Sequence, residues 1–237
     1  MVDSLRTQPI GFAHRGARSL CPENTIEAFT KAVQLGATGL ESDVWLTADG
    51  VPVLDHDGVV RQGMRKRAVS TLRRAELPAH VPTVAELYEA VGTDLEVSLD
   101  VKDPAAASAT VAAARAAGGD EALRRLWLCS PSWELAASWR DLSPAVRLVD
   151  STRFRTIREG VERRAATLAA RGVDALNMHQ SDWNTGLTTL VHRFGLRCFA
   201  WDCQFERIIV RVLTEGVDAV YSDDVSLLMN CIGDWSR

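Results

Sequence analysis

Along the chain, apolar and polar positions alternate between a period of two and a period near 3.6, and the switch recurs to the end. Ile10 to His14 is a short apolar run that ends in a polar burst, as a strand does where it delivers side chains to a rim. Ile26, Phe29, Val33 and Leu35 follow at helical spacing and Gly36 supplies a stop. Asn24, with Glu27 three residues on, reads as the N-cap of a capping box. Gly39 to Trp45 reads as the next strand, Thr47 to Gly50 turns the chain, and Val51 to Leu54 is a short extended piece whose Pro52 argues against a central sheet position. Arg61 to Ala79 shows no clean period and reads as an irregular excursion before a helix beginning at Pro82-Thr83.

Leu95 to Lys102 alternates strictly, with Leu95, Val97, Leu99 and Val101 on one face and Glu96, Ser98, Asp100 and Lys102 on the other. A long alanine-rich helix comes next, with Asp103 before Pro104 as its cap. Further strands are read at Leu126 to Cys129, Val146 to Val149, Ala175 to Met178, Arg197 to Trp201 and Ala219 to Tyr221, each followed or separated by helical pattern. Gly118-Gly119, Gly172, Gly195 and Gly216 fall where helices need a left-handed residue to end. Eight strand-helix units result. Right-handed crossovers of that number close into an α/β (βα)8 TIM barrel, here with a short irregular insertion after the second strand. The alternative is a doubly wound open sheet. In a barrel, the apolar face of the alternating strand packs on the helices and its polar face points inward. No linker divides residues 1–237, so one domain is expected.

Composition narrows the function. The 237 residues are 46% hydrophobic and 24% charged with a net charge of −4, so the broad basic field that nucleic-acid binding needs is missing. No apolar run approaches the roughly 20 residues of a membrane span. The opening, Met1 to Gln8, lacks the apolar centre of an export signal, and the five cysteines show no zinc or redox spacing; a cytoplasmic protein with reduced thiols is expected. Six basic residues (Arg61, Arg65, Lys66, Arg67, Arg73, Arg74) crowd the insertion. They read as a solvated face, with attraction of an anionic substrate or lipid surface as the alternative.

Candidate chemistry gathers at the strand ends, the rim where such barrels place active sites. His14 and Arg15 come from the first strand, Glu41 and Asp43 from the second, Asp100 and Lys102 from the third, with Trp201 further on and His56 on the loop after the extended piece. Glu41 and Asp43 are two apart, so both leave one face of their strand about 7 Å from each other. Three carboxylates without cysteine suit one hard divalent cation, Mg2+ or Ca2+. A cation beside Arg15 and Lys102 would neutralise a phosphodiester, and His14 and His56 could trade the protons of its cleavage near neutral pH.

The run His14-Arg15-Gly16, Pro22-Glu23-Asn24-Thr25, Glu41-Ser42-Asp43-Val44, Asp49-Gly50 and His56-Asp57 resembles the glycerophosphodiester phosphodiesterase family in residues and spacing. Pro82-Thr83, Asp100-Val101-Lys102, Ala200-Trp201 and Gly216-Val217-Asp218 with Ser222-Asp223 extend the likeness over nearly the whole chain. The resemblance implies a barrel enzyme that uses a divalent metal to hydrolyse glycerophosphodiesters to glycerol 3-phosphate and an alcohol. It implies Glu41, Asp43 and Asp100 as metal ligands and His14 and His56 as the acid-base pair. Arg15 and Lys102 would touch the phosphate. Trp201 reads as a substrate-facing wall, with a place in the core as the alternative. The family usually carries glutamate where this chain has Asp100, which bears on metal affinity. A lysophospholipid substrate, a non-catalytic phosphoester-binding barrel, and metal-assisted enolisation with Lys102 as base remain alternatives. Head group and oligomeric state are left open.

Overall fold

The computed structural model describes residues 8–63 and 65–235. Most of the opening segment, Met1 to Thr7, on which the expectation of no export signal rests, lies outside them. The eight barrel strands are β1 (Ile10–His14), β2 (Gly39–Leu46), β6 (Glu96–Val101), β7 (Leu126–Ser130), β8 (Arg147–Thr152), β9 (Ala175–His179), β10 (Arg197–Trp201) and β11 (Ala219–Ser222). Every adjacent pair is parallel, and β1 pairs with both β2 and β11, which closes the ring. The helices α1 (Ile26–Gln34), α2 (Val84–Val91), α3 (Ala106–Arg124), α4 (Trp133–Ser138), α5 (Val161–Ala170), α6 (Thr185–His192), α7 (Glu206–Thr214) and α8 (Val225–Trp235) follow the strands in turn. This is the expected (βα)8 barrel, and the open sheet is excluded by the closing pair.

Strand alternation divides the interior from the shell. Val97, Leu99 and Val101 join the large cluster under the helices, while Ser98 points inward and bonds the Tyr221 hydroxyl at 3.0 Å. The barrel's own core is aromatic. Phe12, Trp127, Phe199 and Tyr221 are buried, with Phe12 stacked on Tyr221 at 4.7 Å and Trp127 edge-on to Phe199 at 4.9 Å. These rings fill the barrel below the rim, as bulky side chains do in packed barrels of this kind.

Three local expectations need correction. Thr25, not Asn24, caps α1, accepting from the Ala28 amide at 3.1 Å. Asn24 takes a left-handed φ of 55° and accepts from the Ser42 hydroxyl at 2.7 Å, so it ties the first loop to β2. The insertion after β2 is more ordered than its sequence suggests. β3 (Pro52–Leu54) runs antiparallel to β2 at the sheet edge, and β4 (Val59–Gln62) and β5 (Arg65–Ala68) form a separate hairpin before two 3₁₀ turns. The hairpin escapes a search for alternation because β5 is exposed along its whole length. Gly118 and Gly119 do not end α3; they break it internally, with non-helical backbone at both.

Asp103 meets its expectation in a shifted frame. Its carboxylate accepts from the Ala105 amide at 3.0 Å, one residue before the first regular turn of α3. Gly172, Gly195 and Gly216 all have φ between 72° and 91° at helix ends.

Candidate active site

Strand register brings the chemistry together. His14 lies opposite Glu41 in the β1–β2 pair, and Asp43 lies opposite Asp100 in the β2–β6 pair, so four groups share one arc of the rim. Glu41 and Asp43 are buried at 6% and 2% exposure, and Asp100 is half-buried. One oxygen from each of Glu41, Asp43 and Asp100 lies within 4.8 Å of the others. The three carboxylates thus form a cluster that could hold a metal ion.

Burying like charges side by side raises their proton affinity. Burial pushes the Glu41 carboxyl up to about 8, opposed by His14 and reinforced by Asp43 and Asp100. Asp43 also stands above its ordinary range through burial, although the Lys102 ammonium pulls against it. Lys102 Nζ sits 2.9 Å from Asp43 and 3.2 Å from Asp100. Burial works against the ammonium, yet these two carboxylates outweigh it and raise the pKa above that of a free lysine. Asp43 Oδ2 is left buried with no hydrogen-bond partner, the Arg15 Nε being 3.6 Å away. An orphaned carboxylate oxygen within an oxygen-only donor set fits a hard divalent cation, and thiol or imidazole ligands are not needed.

The loop after β1 adds a second layer. Arg15 adopts φ 55°, Gly16 φ 79°, and the Arg15 amide donates to Glu41 at 3.0 Å. A Cβ on Gly16 would lie 2.7 Å from the Ala28 backbone, so glycine is the residue that lets this turn press on α1. The Arg15 guanidinium reaches Glu23 at 3.0 Å. His14 Nδ1 is 2.6 Å from Asp223 Oδ1, and its Nε2 is 3.8 Å from Glu41. Burial alone would lower the imidazole pKa, but Glu41 and Asp223 together raise it above the ordinary value. Asp223 in turn is held low by its bond to His14.

His56 stands differently. It follows β3, and the neighbouring Asp55 amide donates to the Asp43 carbonyl at 3.1 Å, so its backbone runs beside the cluster. Its ring is 42% exposed and bonds Asp57 at 2.8 Å; among the described residues it makes no hydrogen bond or ion pair with His14, Glu41, Asp43 or Asp100.

A cavity of about 580 Å³ opens over the rim. His14, Arg15, Glu41 and Asp100 line one side, and Arg153, Asn177, Trp201 and Asp202 the other. Trp201 is therefore a wall, with the Arg153 guanidinium over its ring at 5.4 Å and His179 edge-on at 4.6 Å. Asp202, at φ 62°, is another strained rim residue. Sequence reading missed Asp223 as a partner of His14 and did not see Arg153 or Asn177 at all. The register Ala13 to Ser222 across the closing pair sets His14 and Asp223 next to each other, a contact that ring closure creates.

The chain matches a family model described as the glycerophosphoryl diester phosphodiesterase family over residues 14–227. A glycerophosphodiester phosphodiesterase from Caldanaerobacter subterraneus subsp. tengcongensis is 25% identical over 93% of this chain and 96% of its own length. Stretches of domain-containing proteins from Mus musculus and Macaca fascicularis are 51% and 46% identical, but this chain spans only 9% and 12% of their lengths. Among solved structures, a candidate glycerophosphoryl diester phosphodiesterase from Silicibacter pomeroyi superposes with a TM-score of 0.85 at 22% identity, covering 99% of this chain and 96% of that one. An Oleispira antarctica phosphodiesterase solved with its product sn-glycerol 3-phosphate gives 0.77 at 24% identity, covering 95% and 97%.

Proposed function

The chain belongs to the glycerophosphoryl diester phosphodiesterase family, and from that premise we propose that it is a cation-dependent hydrolase that releases glycerol 3-phosphate and an alcohol from glycerophosphodiesters. The observation that carries this reading is the joint presence, on one rim arc, of a three-carboxylate cluster with an Asp43 oxygen that accepts no hydrogen bond and a histidine held by a carboxylate. The product bound in the Oleispira antarctica relative supports the same outcome here.

Glu41, Asp43 and Asp100 would hold the cation. When bound, Mg2+ or Ca2+ supplies Lewis-acid neutralisation of the phosphoryl oxygens. The chain's own residues do the rest. Arg15, fixed by Glu23, adds positive charge at the cavity wall. Lys102, anchored between Asp43 and Asp100, keeps the acidic cluster from repelling an anionic substrate and stands ready to turn to the phosphate. Asp223 holds the Nδ1 proton of His14, which leaves Nε2 facing Glu41 and the cavity as the atom that takes or gives a proton. We assign the second proton to His56, whose exposed ring bonds Asp57 and does not line the cavity here, so it has to swing toward the substrate to act. Trp201 and the polar wall beside it receive the rest of the substrate.

The test is a turnover panel of soluble glycerophosphodiesters and lysophospholipids with Mg2+, Ca2+ or a chelator. Cation-dependent release of glycerol 3-phosphate, lost in His14→Ala and His56→Ala, is the expected result. Calorimetric binding of the same compounds without turnover under any cation would replace this reading with that of a phosphoester-binding barrel. Unaltered turnover in either variant would take that histidine out of the mechanism.

A further inference from the structure

From Gly58 to Ala75 the chain has six basic residues and no aspartate or glutamate, in a protein whose net charge is −4. Arg73 and Arg74 lie at the second 3₁₀ turn, where Arg74 pairs with Glu86. The other four sit on the β4–β5 hairpin, and Arg61, Arg65, Lys66 and Arg67 are all exposed. Among the described residues none of those four makes an ion pair. The pairing register makes this costlier, because Arg61 lies directly opposite Lys66. Like charges facing each other across two strands destabilise the pair. Such an arrangement, with no carboxylate paired to it, leaves four positive charges open to an anionic partner.

Of the large apolar side chains exposed among the described residues, all but Val210 on α7 sit in connections that follow barrel strands. Leu20 (62% exposed) is on the loop after β1, Phe154 (47%) on the loop after β8, and Phe205 (62%) on the loop after β10. The hairpin belongs to the connection after β2 and carries Val59 (39%). The connections carrying Leu20, Phe154 and Phe205 start at the C-terminal ends of parallel strands, the end that bears the cavity, and the hairpin follows β3, which doubles back along the upper half of β2. Arg155 and Arg158 are exposed beside Phe154, and the Arg207 guanidinium lies 5.9 Å from the Phe205 ring. Single apolar residues with cationic neighbours, spread over separate loops around a mouth, suit a flat partner that is anionic at its surface and apolar beneath.

We propose that the rim of this barrel docks on an anionic lipid bilayer, with the β4–β5 hairpin on the lipid phosphates and Leu20, Phe154 and Phe205 in the headgroup layer. A duplex nucleic acid would satisfy the hairpin but leaves the apolar tips without a function. Each basic residue near such a surface is worth about fivefold in partitioning, and the attraction fades within a Debye length. Docking does not depend on the reaction assigned to the cavity, since it is read by binding alone.

The experiment is flotation of the full chain with vesicles of phosphatidylcholine, with and without phosphatidylserine, at about 0.1 M and about 0.5 M salt. The wild type is expected to float with the anionic vesicles only, and to be released by salt. Reversing four charges (Arg61→Glu, Arg65→Glu, Lys66→Glu and Arg67→Glu) should lower partitioning by about a hundredfold or more, and Leu20→Ser with Phe205→Ser by about fivefold or more. Turnover of a soluble glycerophosphodiester should be unchanged in both. Failure of the wild type to bind anionic vesicles, binding that ignores salt and both sets of substitutions, or hairpin-dependent binding to duplex DNA in place of vesicles would each overturn the proposal.

Discussion

Replacing Asp223 with asparagine keeps the shape of the His14 support and removes its charge. The Nδ1 to Oδ1 distance of 2.6 Å marks a charge-assisted bond, of a kind that contributes about 1.5–3 kcal/mol. Asp223 is 36% exposed on its side chain, so solvent screens the pair and the lower half of that range applies, about 2 kcal/mol. If the bond is fully expressed when His14 carries a proton during cleavage, turnover falls by roughly 30-fold. The sign of the pH effect follows from the same contact. Asp223 helps hold the His14 pKa above its ordinary value, so its loss moves the His14 limb of the kcat/KM profile to lower pH. A raised imidazole pKa also means stability present below the unfolded value near 6.5 and lost as pH rises through the folded value, so the variant gives up part of that acid-side stability. Steady-state kinetics across pH, with glycerol 3-phosphate release as the signal, measure the rate terms. Turnover within about twofold of wild type with an unmoved limb would refute the claim that this carboxylate sets the state of His14.

Three other outcomes can be measured. Asp43→Asn removes the orphaned oxygen's charge and should weaken divalent cation affinity by about a hundredfold in calorimetry, well beyond any loss in Asp100→Glu. Because burial holds the Glu41 carboxyl up to about 8, cation binding at neutral pH should expel a proton, seen as an enthalpy that varies with the ionisation heat of the buffer; above about pH 8 the release should vanish. The same elevation means that the metal-free chain loses stability as pH climbs from the ordinary carboxylate range toward 8, and a melting temperature that rises over that interval would count against it. Gly16→Ala places a Cβ 2.7 Å from the Ala28 backbone at φ 79°, and urea unfolding should show a loss of about 3 kcal/mol.

The barrel was legible because its signal is repeated and local: most strands are short apolar or alternating runs, and several helices are a 3.6 period closed by a left-handed glycine such as Gly172 or Gly216. The carboxylate cluster was legible for a related reason. Glu41, Asp43 and Asp100 sit at strand ends that a parallel barrel must present on one rim, and a two-residue spacing fixes a shared face. What closure alone creates was not legible as contact. His14 and Asp223 are 209 residues apart, and only the last pairing of the ring brings them together. Asn24 misled because its residue type fits a helix cap as well as the left-handed bend it occupies, and the hydroxyl that decides between them, Ser42, lies on another strand. The β4–β5 hairpin stayed hidden because it has almost no buried face to impose a period of two; Val60 is its buried apolar residue. Lys102 was read toward a phosphate, while its nearest charges are the two carboxylates it spans.

The stacked rings of Phe12, Tyr221, Phe199 and Trp127 turn the barrel into a cup with a sealed base. Whatever enters at the top must leave by the same doorway, so arrival and departure compete for one passage. If the proposed cleavage takes place there, a phosphorylated fragment still held at the bottom bars the next molecule until it has gone.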